Sequence, residues 1–252
     1  MPSSSQNINN TFFEGSYKHA WKGIIPAGLT EVEADFIHEI AALKNGDKVL
    51  DIMCGYGRHA IELGKRGVQV TAIDNLQDYI DEIKAKATEQ NLPVHAIRED
   101  VLYVRLNEIF DAAICMGNSF AFFDRADAVT ILKNISNHLK PGGILIINSW
   151  MVAEVAIKHF KEKDWHYAGD YKCMLEYKYC LHPSRIESEQ TIISPDGSIE
   201  IRRGVDYIFT LDELEGMFNE AGFKTKAVFS TPRKKKFTIG DGRVYIVAEK
   251  LA

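Results

Sequence analysis

Apolar residues along the chain fall into short continuous runs and into stripes of helical period. Residues 49–52 form a short, partly β-branched run behind the turn signal Asn45-Gly46-Asp47 and ahead of Gly55 and Gly57. A run of that length with such boundaries reads as a buried parallel strand. A helix is expected from about Arg58 to Lys65, a second strand over residues 68–73 with Asp74 at its carboxyl end, and a third short strand over residues 93–97. Upstream, residues 31–43 carry Val32, Phe36, Ile37, Ile40 and Ala41 at near-helical spacing. That stripe predicts a helix packing on the sheet.

After Trp150 the pattern changes. Residues 152–161 predict a helix, and from Tyr171 onward the chain alternates through residues 174–179, 188–193 and 199–205, with Pro195-Asp196-Gly197-Ser198 between the last two runs. An Asp-Gly turn flanked by alternating residues is a hairpin signal. The expected organisation is one domain with an amino-terminal arm (1–44), a core (45–150), a β insertion (151–207) and a closing helix with strands (208–252).

Candidate chemistry gathers at the first turn. Gly55 and Gly57 lack a Cβ, so the chain can turn sharply there and a ligand can lie against the backbone. Asp74 follows Gly57 by 74 − 57 = 17 residues. A carboxylate at that place accepts hydrogen bonds from both hydroxyls of a ribose. A dinucleotide fingerprint wants a third glycine where this chain has Ala60, a position at which alanine is tolerated. Asp51 decides more. A carboxylate four residues before Gly55 repels a pyrophosphate and attracts an ammonium.

The pattern Leu50-Asp51-x-x-Cys54-Gly55-x-Gly57 resembles motif I of class I S-adenosylmethionine-dependent methyltransferases. The resemblance continues along most of the chain. Arg98-Glu99-Asp100-Val101 matches the place where an acidic residue of that family contacts the adenine amine. Residues 110–120 look like its fourth strand and acceptor-facing end, residues 139–147 like a helix end, a Pro-Gly-Gly turn and the fifth strand. Residues 211–223 and 243–248 resemble its last helix and antiparallel closing strand. The resemblance implies a Rossmann-like, doubly wound α/β fold with a seven-stranded mixed sheet, an antiparallel last strand and an antiparallel β insertion. It implies S-adenosyl-L-methionine as cofactor, held by Asp51, Gly55, Gly57, Asp74, Asn75, Asp100 and Val101, with Met116 and Gly117 supplying backbone contacts.

Composition adds exclusions. A net charge of −5 disfavours a broad phosphate-binding surface, so no nucleic-acid partner is expected. The one basic run, Arg233-Lys234-Lys235-Lys236, reads as a solvated loop. Met116-Gly117-Asn118-Ser119-Phe120 lacks the Asn/Asp-Pro-Pro-aromatic signature of enzymes that methylate amino groups of nucleobases and glutamine, and no Pro-Cys nucleophile is present. Cys54, Cys115, Cys173 and Cys180 include no C-x-x-C pair, so they read as reduced thiols and no metal site is expected. No 18-residue apolar stretch occurs, and Met1-Pro2-Ser3-Ser4-Ser5-Gln6 has no basic region and apolar core of a secretory signal. A cytoplasmic protein without membrane partners is expected, as a monomer or as a homodimer paired through a sheet edge of the insertion.

The arm and the insertion are expected to select a small-molecule acceptor, methylated on nitrogen or oxygen. Tyr17 and Trp21 either line the cofactor site or pack the arm. Arg58 either reaches the cofactor or lies on a helix surface, and His59 either packs at its helix start or acts as a base. Phe120, Phe123 and Trp150 lie at or just past the carboxyl ends of strands, as acceptor walls or as core. His166, His182, Arg203 and Tyr207 belong to the insertion, where each is a candidate to face the pocket, with His166 and Tyr207 weak candidates for a general base. Three alternatives stay open: a cofactor-binding protein without catalysis, a protein or RNA methyltransferase, and a nicotinamide-dependent oxidoreductase.

Overall fold

The structure, a computed structural model, describes residues 7–252. The polar start over residues 1–6, read above as carrying no secretory signal, lies outside the described residues. The chain divides into two compact units, one of Gly28–Lys158 with Phe209–Ala252 and the other of the segment up to Ala27 with His159–Ile208.

The larger unit is a seven-stranded sheet. Its strands are β1 (Lys48–Ile52), β2 (Gln69–Asp74), β3 (Val94–Arg98), β4 (Phe110–Cys115), β5 (Leu139–Ser149), β10 (Phe223–Phe229) and β11 (Val244–Lys250), in the order β10-β11-β5-β4-β1-β2-β3. All pairings are parallel except those of β11, which runs antiparallel to both β5 and β10. The helices are α2 (Leu29–Ile40), α3 (Arg58–Lys65), α4 (Gln77–Glu89), α5 (Arg125–His138), α6 (Ala153–His159) and α7 (Leu211–Glu220).

Strand side chains alternate between the two faces of a sheet, and here both faces are buried. Leu50 and Ile52 of β1, with Leu145 and Ile147 of β5, join the apolar cluster that contains Ile131 and Leu132 of α5 and Met217 and Phe218 of α7. Val49 and Ile146 point the other way, into the cluster built with Phe36 and Ile37 of α2, Leu63 of α3 and Ile80 and Ile83 of α4. Burial on both faces is why these strands read as continuous apolar runs.

Several boundaries differ from the sequence expectation. The Pro141-Gly142-Gly143 turn is absorbed into β5, whose pairing with β4 skips from Leu139 to Ile144 while β4 advances only from Phe110 to Ala112. The last helix starts at the Thr210 capping box and stops at Glu220, so Phe223 opens β10 instead of closing the helix. Gly222 sits between them at φ +82°, a conformation that suits glycine. Arg233–Lys236 lies in the connection between β10 and β11, where Lys234 pairs with Glu39 and Lys235 with Asp241.

The smaller unit is a four-stranded antiparallel sheet of β6 (Lys163–Ala168), β7 (Tyr171–Leu181), β8 (Ser184–Ile193) and β9 (Ile199–Tyr207), paired in chain order. The Asp196-Gly197 turn joins β8 to β9 as expected, while β6 was not foreseen. The helix α1 (Ser16–Ile24) packs on one face, where Phe12, Tyr17 and Ala20 meet Ala168, Cys173 and Ile192. Asn9 grips β9 like an extra strand, with its amide donating to the Val205 carbonyl and its Oδ1 accepting the Val205 N–H, both at 2.9 Å. Among the described residues no helix is long and apolar enough to cross a membrane.

Candidate active site

Strand order in the larger sheet reverses between β1 and β4, and open α/β sheets bind ligands at the carboxyl ends of the strands flanking such a reversal. The turn after β1 has left-handed backbone at Met53, Gly55 and Gly57, with φ of +51°, +55° and +72°. The two glycines serve different ends. A Cβ on Gly55 would meet nothing within 4 Å, whereas one on Gly57 would sit 2.4 Å from Ile83 Cγ1. Gly55 therefore faces open space, and Gly57 lets α3 and α4 approach.

Two carboxylates stand beside that turn. Asp74, at the end of β2, accepts the Gly55 N–H at 2.9 Å on Oδ2 and the Leu76 N–H at 3.0 Å on Oδ1. Burial raises its pKa against the pull of these N–H groups and that of Asn75. Asp51 is buried in β1 on the side of Val49. It accepts the Ala60 N–H, yet its Oδ2 is fully buried with no hydrogen-bond partner among the described residues. Burial pushes its pKa up to about 8, with Arg58 lowering it and Asp74 raising it. An orphaned buried carboxylate oxygen is costly unless a donor or cation arrives.

The sequence reading missed the residue beneath this turn. Glu33 of α2 is wholly buried, and Oε2 accepts from Arg58 Nη1 at 2.6 Å and His59 Nε2 at 3.0 Å, while Tyr245 donates its hydroxyl to Oε1 at 2.7 Å. Burial alone would raise the Glu33 pKa, but the His59 hydrogen bond, the Arg58 charge and the Tyr245 hydrogen bond bring it down to about 2. The His59 imidazole is held below its usual value by burial and by Arg58. It is therefore neutral near pH 7 and donates to Glu33. The signal in the sequence was an acid inside the apolar stripe of α2, one turn before Phe36 and Ile37.

This network bears on the alternatives left open for two residues. Arg58 is not a helix-surface residue, because its guanidinium is bound by Glu33 and Thr30 Oγ1. His59 is unsuited to act as a base, because its Nε2 is buried against a carboxylate.

At the ends of β4 and β5 a polar cluster shapes the chain. Gly117 N–H donates to Asn148 Oδ1 at 3.3 Å, and Asn148 Nδ2 donates to the Val244 carbonyl at 3.0 Å. Asn118, in left-handed backbone at φ +76°, accepts on Oδ1 from Ser149 Oγ at 2.7 Å and from the Trp150 N–H at 3.1 Å. Buried asparagines at strand ends were the overlooked signal there. Met116, Phe120 and Phe123 are buried in the apolar clusters, as is Val101. That burial favours core over acceptor wall for the two phenylalanines. Trp150 is half-buried with the Arg243 guanidinium 5.7 Å from its ring centre. Asp100 accepts the Leu102 N–H at 2.9 Å, and the Asn75 carbonyl accepts from Arg98.

The remaining candidates belong to the smaller unit. Tyr17 stacks on Trp21 with ring centres 6.2 Å apart, inside the apolar cluster around α1. His166 of β6 lies opposite Cys173 with Nε2 buried and unpartnered. Tyr207 ends β9 half-buried, and His182 is exposed in the turn between β7 and β8. Arg203 is exposed on its sheet and pairs with Glu189 at 2.8 Å.

A family model described as "Methyltransferase domain" matches residues 49–143, the span from β1 to the start of β5 that carries the glycine turn and both carboxylates. Over that span the chain is similar to methyltransferases. It is 28% identical over 171 residues to a glycine/sarcosine N-methyltransferase of Aphanothece halophytica, a match covering 66% of this chain and 64% of that one. It is 23% identical over 206 residues to a dTDP-4-amino-2,3,4,6-tetradeoxy-D-glucose N,N-dimethyltransferase of Saccharopolyspora spinosa, covering 79% and 80%. An S-adenosylmethionine-dependent methyltransferase from Clostridium acetobutylicum shares the fold, with a TM-score of 0.81 at 18% identity over 94% of this chain and 98% of that one. That Clostridium protein is described as dependent on S-adenosylmethionine. The residues present suit it: an unpaired buried carboxylate for a cationic group, an open glycine turn, and a second carboxylate within reach of that turn.

Proposed function

We propose that this chain transfers the methyl group of S-adenosylmethionine to nitrogen or oxygen of a small-molecule acceptor. The observation that carries the donor half of this reading is Asp51, whose buried Oδ2 lacks a partner beside the open Gly55 turn. In this reading Asp51 receives the ammonium of the methionine moiety, and Asp74 keeps lone pairs on both oxygens for the ribose hydroxyls. Asp100 and Val101 border the adenine, and the backbone at Met116 and Gly117 lines the approach to the reacting carbon. Arg58 acts on this site through its charge, with its guanidinium engaged by Glu33.

When bound, S-adenosylmethionine supplies a methyl carbon on a sulfonium for in-line displacement. The chain's own contribution is to hold and align the two reactants and to exclude water. A side-chain base is needed only for an acceptor that cannot lose its proton to solvent. Nitrogen is favoured as the accepting atom by the Aphanothece and Saccharopolyspora relatives, both named as N-methyltransferases. An amine fits that chemistry without any base, and an amino sugar or a small amino acid is the acceptor class to try first.

Isothermal titration with S-adenosylhomocysteine, with NADH as control, tests the donor site. Micromolar binding of the first alone supports it, and binding of NADH alone overturns it. A mass-spectrometric search for a 14-dalton gain across pools of amines, amino sugars and phenols then tests the acceptor class, and a product confined to protein or RNA overturns the small-molecule reading.

A further inference from the structure

The chain between β3 and β4, residues 99–109, is neither helix nor strand, so no ladder fixes the direction of its peptide groups. Packing sets its depth: Val101 and Val104 are buried in the apolar cluster that contains Ile131 and Leu132 of α5. Apolar contact is non-directional and leaves the rotation of those peptide groups open. Hydrogen bonds are directional. Among the described residues, those that reach residues 101–106 from outside the loop come from Asn134 and His138, two buried side chains near the end of α5.

Asn134 Nδ2 donates to the Leu102 carbonyl at 2.9 Å and to the Val101 carbonyl at 3.3 Å, and Asn134 Oδ1 accepts from Arg105 Nη1 at 3.1 Å. Carbonyls only accept and a guanidinium only donates, so the amide fits one way round. One turn later the Leu106 N–H donates to His138 Nε2 at 3.0 Å, and the His138 Nδ1–H donates to the Asn134 carbonyl at 2.7 Å.

The groups so held flank a donor and an acceptor. The Asp100 carbonyl accepts the Tyr103 and Val104 N–H groups at 3.0 and 2.9 Å, so it points into the turn. Across the planar trans peptide the Val101 N–H points the opposite way. Asp100 Oδ1 accepts the Leu102 N–H at 2.9 Å, which orients the carboxylate. Val101 and Leu102 thus set this edge with their N–H groups while Asn134 holds both their carbonyls. A carboxylate beside an N–H matches the amine and the ring N1 of a 6-amino purine. A 6-oxo purine offers an oxygen and a ring N–H instead, so acceptor meets acceptor and donor meets donor.

We propose that Asn134 and His138 are positioning residues for purine recognition: they aim the Asp100–Val101 edge, and without them the chain loses its preference for a 6-amino over a 6-oxo purine. Both act through the backbone they hold. The inference rests on the donor reading above, in which Asp100 and Val101 border the adenine. Such an edge discriminates only when held to within about 0.5 Å, which a loop without tethers does not achieve.

Isothermal titration with S-adenosylhomocysteine and with S-inosylhomocysteine, its 6-oxo counterpart, tests it through the ratio of the two affinities. Both ligands meet the same protein sample, so a loss of folded fraction cancels from the ratio. The unsubstituted chain is expected to favour the adenosyl ligand by roughly 10- to 100-fold, the range for a matched pair of contacts to a base edge. Asn134→Ala is expected to cut that ratio by roughly threefold or more, as for residues coupled by direct contact. His138→Phe, which keeps a ring without the accepting nitrogen, is expected to do the same and serves alone if Asn134→Ala does not fold. His138→Gln, whose Oε1 can accept the Leu106 N–H, is expected to retain the ratio. Met217→Ala, a core truncation in α7, is expected to lower the urea midpoint and leave the ratio alone. With S-adenosylhomocysteine still bound, a ratio near one in the unsubstituted chain, or one that neither Asn134→Ala nor His138→Phe moves, overturns this inference and leaves the donor reading standing. An equal fall in Met217→Ala would mark general loosening and overturn it as well. No binding of S-adenosylhomocysteine by the unsubstituted chain overturns the donor reading and this inference with it.

Discussion

Arg58 Nη1 lies 2.6 Å from Glu33 Oε2, an ion pair buried between α2 and the first turn of α3. It ties the helix that follows the glycine turn to a helix earlier in the chain, and Tyr245 ties the same carboxylate to β11. Removing one partner of a buried pair leaves the other charge uncompensated, which costs about 3–5 kcal/mol. Glu33→Gln is expected to lower unfolding free energy by that order, measured by urea denaturation. A loss below about 1 kcal/mol would show that Arg58 finds another anion.

Acid dependence follows from the same residue. The Glu33 pKa falls from 4.5 to about 2 on folding, so its stabilisation is fully present above pH 4.5 and is lost as pH falls through 2. The size is of order 3 kcal/mol. His59, whose folded pKa is depressed, acts in the same direction below its ordinary 6.5, because the unfolded chain takes up a proton that the native state resists. Urea midpoints measured from pH 7 to pH 3 are expected to fall, and Glu33→Gln to flatten the part below pH 4.5.

Asp51 has the opposite sign. Its pKa rises from 3.8 to about 8 on folding, so its contribution is fully present below pH 3.8 and disappears as pH rises through 8. A cationic group beside Oδ2 would favour the ionised form and expel the proton. Titration with S-adenosylmethionine at pH 7 in buffers of different ionisation enthalpy is expected to show proton release. Asp51→Asn is expected to abolish the release and to weaken binding by tenfold or more. Equal heats in all buffers would dissociate Asp51 from the ligand.

Asp74→Ala removes the acceptor for the Gly55 and Leu76 N–H groups together with the proposed ribose contact. The loss in cofactor binding is expected at roughly 1.5–3 kcal/mol, the range for hydrogen bonds to a charged group. Unchanged calorimetric affinity would remove Asp74 from the site.

The two glycines of the turn are expected to separate fold from ligand. Gly57→Ala drives a methyl group into Ile83, so it is expected to destabilise the fold, with partial relief from Ile83→Ala. Gly55→Ala meets open space and carries only the left-handed backbone cost of about 1 kcal/mol. It is expected to leave a folded protein with weakened cofactor binding. Equal thermal stabilities for the two variants would refute that division.

What was legible along the chain was local. The apolar run at Val49, the helix Arg58–Lys65 and the Asp196-Gly197 hairpin depend on neighbours within a few residues, and each stands where periodicity put it. The strand β6 escaped because Lys163, Asp164 and His166 interrupt its apolar positions, while its pairing with β7 supplies the order that its own sequence does not advertise. The end of the last helix was set by Gly222 and by the pairing of Phe223 with Lys250, not by the apolar stripe continuing into Phe223.

The candidate site divides in the same way. Spacing within one strand-turn-helix-strand segment brought Asp51, Gly55, Gly57 and Asp74 into view, because a ligand that lies on a backbone turn needs those residue types at those offsets. Tertiary packing alone decided that Glu33 meets Arg58, His59 and Tyr245, that Asn148 reaches Gly117 and Val244, and that Arg203 faces outward. Those outcomes depend on which elements the fold sets side by side across 14 to 212 residues of chain. Hydrophobic period is carried by each segment, whereas the partner of a buried charge is chosen only when the segments pack.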